Sequence, residues 1–147
     1  MIYTDSGKYA IRALTYMAAQ TDQESPVAAA DVAKAEDIPP YYLAKVLQDL
    51  ARADLLSSVR GRGGGFRLKR PPEDIAVLEI LEAVENVRRL TKECVLGLDQ
   101  CNDEVPCPLH STWKKFRENL LTNLHQMTLR DMVVELEKKR SRGKRSR

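Results

Sequence analysis

A mainly α fold with one small β-hairpin is what this sequence predicts, and three observations predict it. Apolar residues recur at three- and four-residue intervals over most of the chain. Two successive segments of that kind, 27–35 and 40–53, are separated only by Glu36-Asp37-Ile38-Pro39. Directly after them, two short β-capable runs flank Arg60-Gly61-Arg62-Gly63-Gly64-Gly65.

The first helix is expected over 5–20, where Ala10, Leu14 and Met17 share a face. A polar loop ending at Pro26 stops it. Segment 27–35 is a short, alanine-rich helix. Pro40 suits the first turn of the next helix, because a first-turn N–H has no intrahelical partner to lose. Leu43, Val46, Leu47 and Leu50 form that helix's apolar face. A short helix, a tight connection and a second helix make a helix-turn-helix pattern. Strands at 56–59 and 66–68 around a glycine-rich reversal, where positive φ carries no steric cost, add a wing.

Beyond Pro71-Pro72, a helix is predicted over 77–84, with Leu78, Leu81 and Val84 inward. Residues 90–109 show no sustained period, contain all three cysteines, and are expected to form a loop. From Ser111, the residues Trp113, Phe116, Leu120, Leu124 and Met127 step along one helical face. Thr128 and Asp131 match a capping box that starts a last helix, expected over 129–139. The domain layout predicted is 1–85 for a winged helix-turn-helix, 86–110 for a cysteine loop, 111–140 for dimerisation helices, and 141–147 for a basic disordered tail.

Net charge is +3, yet seven of the last ten residues are Lys or Arg, so the remaining chain is net acidic. Overall charge therefore says little about nucleic acid, and local basic patches must carry that argument. The N-terminus shows neither a basic leader nor an apolar h-region, and no apolar run is long enough for a membrane span, which predicts a cytoplasmic protein with no membrane partner. Three cysteines within 14 residues form an odd, clustered set that favours metal or redox chemistry over a disulfide scaffold.

The helix-turn-helix and wing point to a double-stranded DNA operator as partner. The outward residues Tyr41, Tyr42, Lys45, Gln48, Asp49 and Arg52 are the candidate readers: tyrosines for sugar–phosphate or a thymine methyl, Gln48 for adenine, Lys45 and Arg52 for phosphates. Arg60 and Arg62 sit on a tip thin enough for a minor groove. The glycines do not make a phosphate-cradling loop, since no Lys-Ser or Lys-Thr follows them and a strand follows where a helix would be needed. No nucleophile–base–orienter set is identifiable, so no catalytic residue is expected.

Cys94, Cys101, Cys107 and His110 follow the spacing C-x6-C-x5-C-x2-H. Thiolates are soft ligands suited to iron–sulfur clusters and zinc. Structural zinc favours a closely spaced cysteine pair, which is lacking here. The wider spacing suits a larger object with several iron corners. Zinc, or thiols that respond to redox directly, are the alternatives. The stripe from Trp113 to Met127 suits either core packing or a helix pairing with its two-fold mate.

Ser6-Gly7-Lys8-Tyr9-Ala10, the run from Ser57 to Phe66 and the three-cysteine loop together resemble the IscR/NsrR/RirA-type (Rrf-type) bacterial winged-helix regulators, from Met1 to about Leu136. The resemblance implies a homodimer with a long dimerisation helix, a [2Fe–2S] or [4Fe–4S] cluster, and control of genes for cluster assembly, iron, nitric oxide or redox stress. It implies Cys94, Cys101 and Cys107 as cluster ligands, His110 at the position of a histidine ligand, and Arg60 as the minor-groove contact. Family members with an acidic ligand near the N-terminus would place it where Lys8 stands here. The function expected is that of a repressor whose operator affinity follows the state of its cluster. The alternative is a cluster-free or zinc-bound regulator sensing redox through its cysteines.

Overall fold

The computed structural model describes residues 3–99 and 102–145. Seven helices and one hairpin follow in the order α1 (Asp5–Ala18), α2 (Ala29–Glu36), α3 (Pro40–Arg52), β1 (Leu56–Val59), β2 (Gly65–Leu68), α4 (Val77–Val84), α5 (Arg88–Thr91), α6 (His110–Gln126) and α7 (Leu129–Arg145). The mainly α architecture with a small β-wing is the one the sequence predicts.

Helix α1 lies at the centre, packed by α2, α3, α4 and α7. Its Ala10, Ala13 and Leu14 are fully buried among Leu43, Leu47 and Leu50 of α3, Ile80 and Leu81 of α4, and Leu129 of α7. Pro40 is the first residue of α3, as expected, and α2 ends at Asp37 in a left-handed conformation. The strands pair antiparallel in the register Leu56 to Leu68 and Val59 to Gly65.

Four boundaries differ from expectation. Helix α1 stops at Ala18, two residues early. Val27 is extended rather than helical: its N–H and carbonyl bond Phe66 of β2 at 2.8 and 2.9 Å, which anchors the wing's base to the body. A single helical turn, α5, opens the region read as a loop. The tail expected to be disordered continues α7 as helix to Arg145, while Ser146 and Arg147 lie outside the described residues. That continuation has a physical cause. Residues 129–142 are mostly good helix formers, Lys138 bonds Glu135 at 2.9 Å, and the terminal cations oppose the negative end of the helix dipole.

The capping box forms: Thr128 N donates to Asp131 Oδ2 at 2.9 Å, and Asp131 N donates to Thr128 Oγ1 at 3.1 Å. Around it the backbone pairs with the start of α4. Val77 N bonds the Met127 carbonyl and Leu129 N bonds the Ile75 carbonyl, at 2.9 and 2.8 Å. The 3-10 turn Pro72–Asp74 also packs on α7. Among the described residues no helix is long and apolar enough to cross a membrane.

Candidate nucleic-acid interface and thiol site

Helix α3 buries Leu43, Val46, Leu47 and Leu50 and turns its other side to solvent. Tyr41 is 91% exposed at the helix's first turn. Lys45 and Gln48 are exposed one and two turns on. The structure gives the remaining expected readers other attachments. Tyr42 is 38% exposed; its hydroxyl hydrogen-bonds Ser6 at 2.9 Å and its ring packs edge-on against Tyr9 at 5.3 Å between centroids. Arg52 bonds Asp49 at 3.1 Å, which offsets its charge. Arg60 and Arg62 are exposed on the wing tip, as their position between glycines implies. Gly61 and Gly63 there have φ of +98° and +74°.

The thiol site lies in the segment between α5 and α6. Cys94, buried, and Cys107, half-buried, bring their sulfurs within 3.6 Å. They line an open pocket of about 640 Å³ with Leu98, Asp99, Asn102, Val105, Pro106 and Pro108. Cys101 lies outside the described residues. Among the described residues no group of three or more His, Cys, Asp or Glu side chains converges as a metal site.

His110 is buried at the first turn of α6, and its Nε2 sits 2.9 Å from Asp103 Oδ1. Lys114 grips the same carboxylate at 2.8 and 3.0 Å. The hydrogen bond from Lys114, then that from His110, holds Asp103 below the usual aspartate range, and Asp103 in turn raises Lys114. A histidine read from spacing as a ligand is thus engaged with an aspartate that spacing does not flag. Metal-ligating histidines commonly use one ring nitrogen for such a partner and the other for the metal. The loop is tied to α6 at two further points. His110 N donates to the Cys107 carbonyl at 3.0 Å, and Trp113 Nε1 donates to the Glu93 carbonyl at 3.2 Å.

The residues present fit a thiolate-held metal group on chemistry and spacing. Two thiolates on one tetrahedral metal with bonds of about 2.3 Å stand roughly 3.8 Å apart, close to the 3.6 Å seen. Cys94, Cys107 and, by position, Cys101 would supply the thiolates.

Between the two sites runs a connection that no sequence spacing announces. Glu85, one residue past α4, receives three hydrogen bonds on Oε1. They come from Thr4 N at 2.7 Å, Thr4 Oγ1 at 2.6 Å and Gly7 N at 3.1 Å. A carboxylate from α4 therefore caps α1, satisfying donors that a helix N-terminus leaves open. Ser6, in the same turn, holds Tyr42 of α3. On the next turns of α1, Arg12 stands over the Tyr9 ring at 5.8 Å and donates to the Glu36 carboxylate and carbonyl. Apart from Arg12 and Tyr9, these partners lie 24 to 81 positions apart, and periodicity reports only neighbours on one element.

The comparisons with known proteins come to the same architecture. The model of the Rrf2 family, described as iron-dependent transcriptional regulators, matches residues 3–135. The HTH-type transcriptional regulator IscR of Aliivibrio salmonicida is 33% identical over 137 residues, spanning 93% of this chain and 80% of that protein. The solved structure of T. potens IscR superposes with a TM-score of 0.71 at 29% identity, covering 92% of this chain and 88% of that one. CymR, the global cysteine regulator of B. subtilis, shares the fold with a TM-score of 0.73 at 23% identity over 90% of this chain and 95% of its own. With a matching family model over most of its length and an IscR relative above 30% identity, the chain belongs to the Rrf2 family, whose members are DNA-binding transcriptional regulators and not enzymes.

Proposed function

We propose that this regulator is a cytoplasmic homodimeric repressor whose operator affinity is set by an iron–sulfur cluster held by Cys94, Cys101 and Cys107, with His110 as fourth ligand. The observation that carries this reading is the pair of sulfurs 3.6 Å apart in an open pocket at the base of α6. When bound, the cluster supplies a redox- and iron-sensitive crosslink between the two ends of the loop. The chain's own residues do the rest. The loop is pinned to α6 through Cys107 and Glu93, α6 packs on α4, and Glu85 at the end of α4 caps α1, whose Ser6 holds Tyr42 of the reading helix. A coupling of about 1–3 kcal/mol along this route changes operator affinity roughly 5- to 150-fold. Tyr41, Lys45 and Gln48 read the major groove, Arg60 and Arg62 enter the flanking minor groove, and Tyr42 positions α3.

The test is anaerobic reconstitution with iron and sulfide of wild type and of Cys94→Ala, Cys101→Ala and Cys107→Ala. Wild type is expected to be coloured, to contain iron, and to change its affinity for the promoter duplex of its own gene on iron chelation. Each variant is expected to lose both properties. Identical affinity in all four proteins, with and without iron, overturns the cluster reading.

The same 3.6 Å separation supports a second reading, in which Cys94 and Cys107 form a disulfide of about 2.05 Å. A peroxide would take the two electrons and two protons that the thiols give up, leaving the disulfide and water. Mass spectrometry after peroxide treatment of iron-free protein distinguishes the two: a two-proton mass loss mapped to Cys94 and Cys107, with an affinity change reversed by a thiol reductant, favours this one.

The homodimer rests on α6. His110 is its one buried residue among those described, and Phe116 is 47% exposed beside Trp113, stacked at 5.6 Å. A long helix that leaves Phe116 and Met127 exposed suits pairing with its two-fold mate, which sets two reading helices about one DNA turn, roughly 34–36 Å, apart. Phe116→Asp is expected to sediment as a monomer and to bind the promoter at least tenfold more weakly, about 1.4 kcal/mol. A variant that stays dimeric places the interface elsewhere.

A further inference from the structure

Glu36 is only 4% exposed, an expensive place for a carboxylate unless it is paired. Arg12 of α1 supplies one partner. The other comes from 104 residues away: Arg140 of α7 donates to both carboxylate oxygens, at 3.0 and 3.1 Å. Glu36 ends α2, immediately before the turn into the reading helix. The ion cluster therefore clamps the basic end of α7 against the helix-turn-helix. Past the clamp the helix continues about 7.5 Å, from Arg140 to Arg145. Lys138, Ser141, Arg142 and Arg145 line a shallow groove there, with Glu137 and Val134 at its other end. Lys139 and Lys144 are exposed on the same segment, and Lys34 is exposed on the last turn of α2.

We infer that the end of α7 is a second DNA-contacting arm, one that grips the phosphate backbone beside the operator without reading its sequence. Resting on the DNA-binding role of the fold, the inference adds a surface outside the helix-turn-helix and wing. Three features carry it. The charge is of one sign where the rest of the chain is net acidic. The segment is ordered helix, so its cations are presented together. And the Arg140–Glu36 clamp ties this segment to the end of α2, just before the turn into the reading helix. Helix-dipole stabilisation accounts for cations at this helix's end, but not for the seating of Arg140 on Glu36 at the end of α2.

The test compares wild type with the triple variant R142Q/K144Q/R145Q, all three positions being exposed. The readout is the dependence of binding on salt, measured on a mixed-sequence duplex and on the promoter duplex of its own gene. Each phosphate contact contributes about 0.9 to the slope of log K against log salt. The triple variant is expected to flatten the slope on both duplexes by about 2–5 per dimer, while the affinity ratio between the duplexes is kept. Arg140→Gln, which releases the clamp but keeps the three cations, is expected to flatten it partly. An unchanged slope with normal wild-type binding overturns the arm and leaves the regulator intact. So does binding of the wild-type segment to phosphatidylserine vesicles, lost in the variant, with the duplex slope unmoved. A wild-type protein that binds neither duplex overturns the DNA-binding role itself.

Discussion

Leu129→Ala is expected to destabilise the whole protein by about 2–5 kcal/mol, the range for emptying a buried leucine site. Leu129 opens α7 and has no solvent exposure. It belongs to the same core as Leu14 of α1 and Ile80 of α4. Its N–H bonds the Ile75 carbonyl, and the neighbouring Thr128 bridges Ala76. The lost packing is therefore shared by the helix that begins the chain and the helix that ends it. Urea unfolding followed by far-ultraviolet dichroism checks this. The expected curve keeps one transition, with its midpoint moved down. In heat, each kcal/mol corresponds to about 2–4 °C in a chain of this size. A loss confined to a separate early transition of α6 and α7 would show that the C-terminal helices fold apart from the rest.

Gly65→Ala is expected to loosen the wing at its root. Gly65 has φ of +152°, where an L side chain is strained, and an added Cβ would lie 2.2 Å from the Val27 carbonyl oxygen and 2.6 Å from its carbon. Both obstacles are backbone, so no rotamer change relieves them. Strain and overpacking together cost about 2–4 kcal/mol. The Val27–Phe66 pair adjoining Gly65 holds the hairpin to the body, and its opening displaces Arg60 and Arg62 together. Operator affinity is expected to fall about tenfold or more, each 1.4 kcal/mol being a factor of ten. Gly63→Ala serves as the control: it carries backbone strain alone, since nothing lies within 4 Å of its added Cβ. Equal behaviour of the two variants in unfolding and promoter binding would remove the root contact from the explanation.

How much of this was legible in the sequence depended on the range of the interaction concerned. The reading helix, the wing and α4 rest on local periodicity and on glycine and proline, and Pro40, Val77 and Val84 fall where those signals place them. The Thr128–Asp131 capping box is a four-residue signal and forms as such. Val27 was misread because its residue type tolerates either backbone state and its partner, Phe66, is distant in sequence. The helical end of α7 departs from the expected disorder because residues 141–145 extend a helix already built on good helix formers, which a run of cations does not announce. At the interface, outward position identifies Tyr41 and Lys45 as exposed, but does not announce the hydrogen bond between Tyr42 and Ser6. Spacing singled out Cys94, Cys107 and His110, and the structure brings the first two together. It could not supply Asp103, because a carboxylate in a polar loop carries no periodic mark.

The backbone leaves the body at the end of α4, makes an excursion through the cysteine segment and α6, and is stitched back at the start of that same helix by the bonds of Val77 and Leu129. Such an excursion behaves as a removable insert in a closed frame. Doubling the length of a flexible insert costs only about 0.6 kcal/mol of closure entropy. The length of this segment can thus vary while the helix-turn-helix and wing keep their shape.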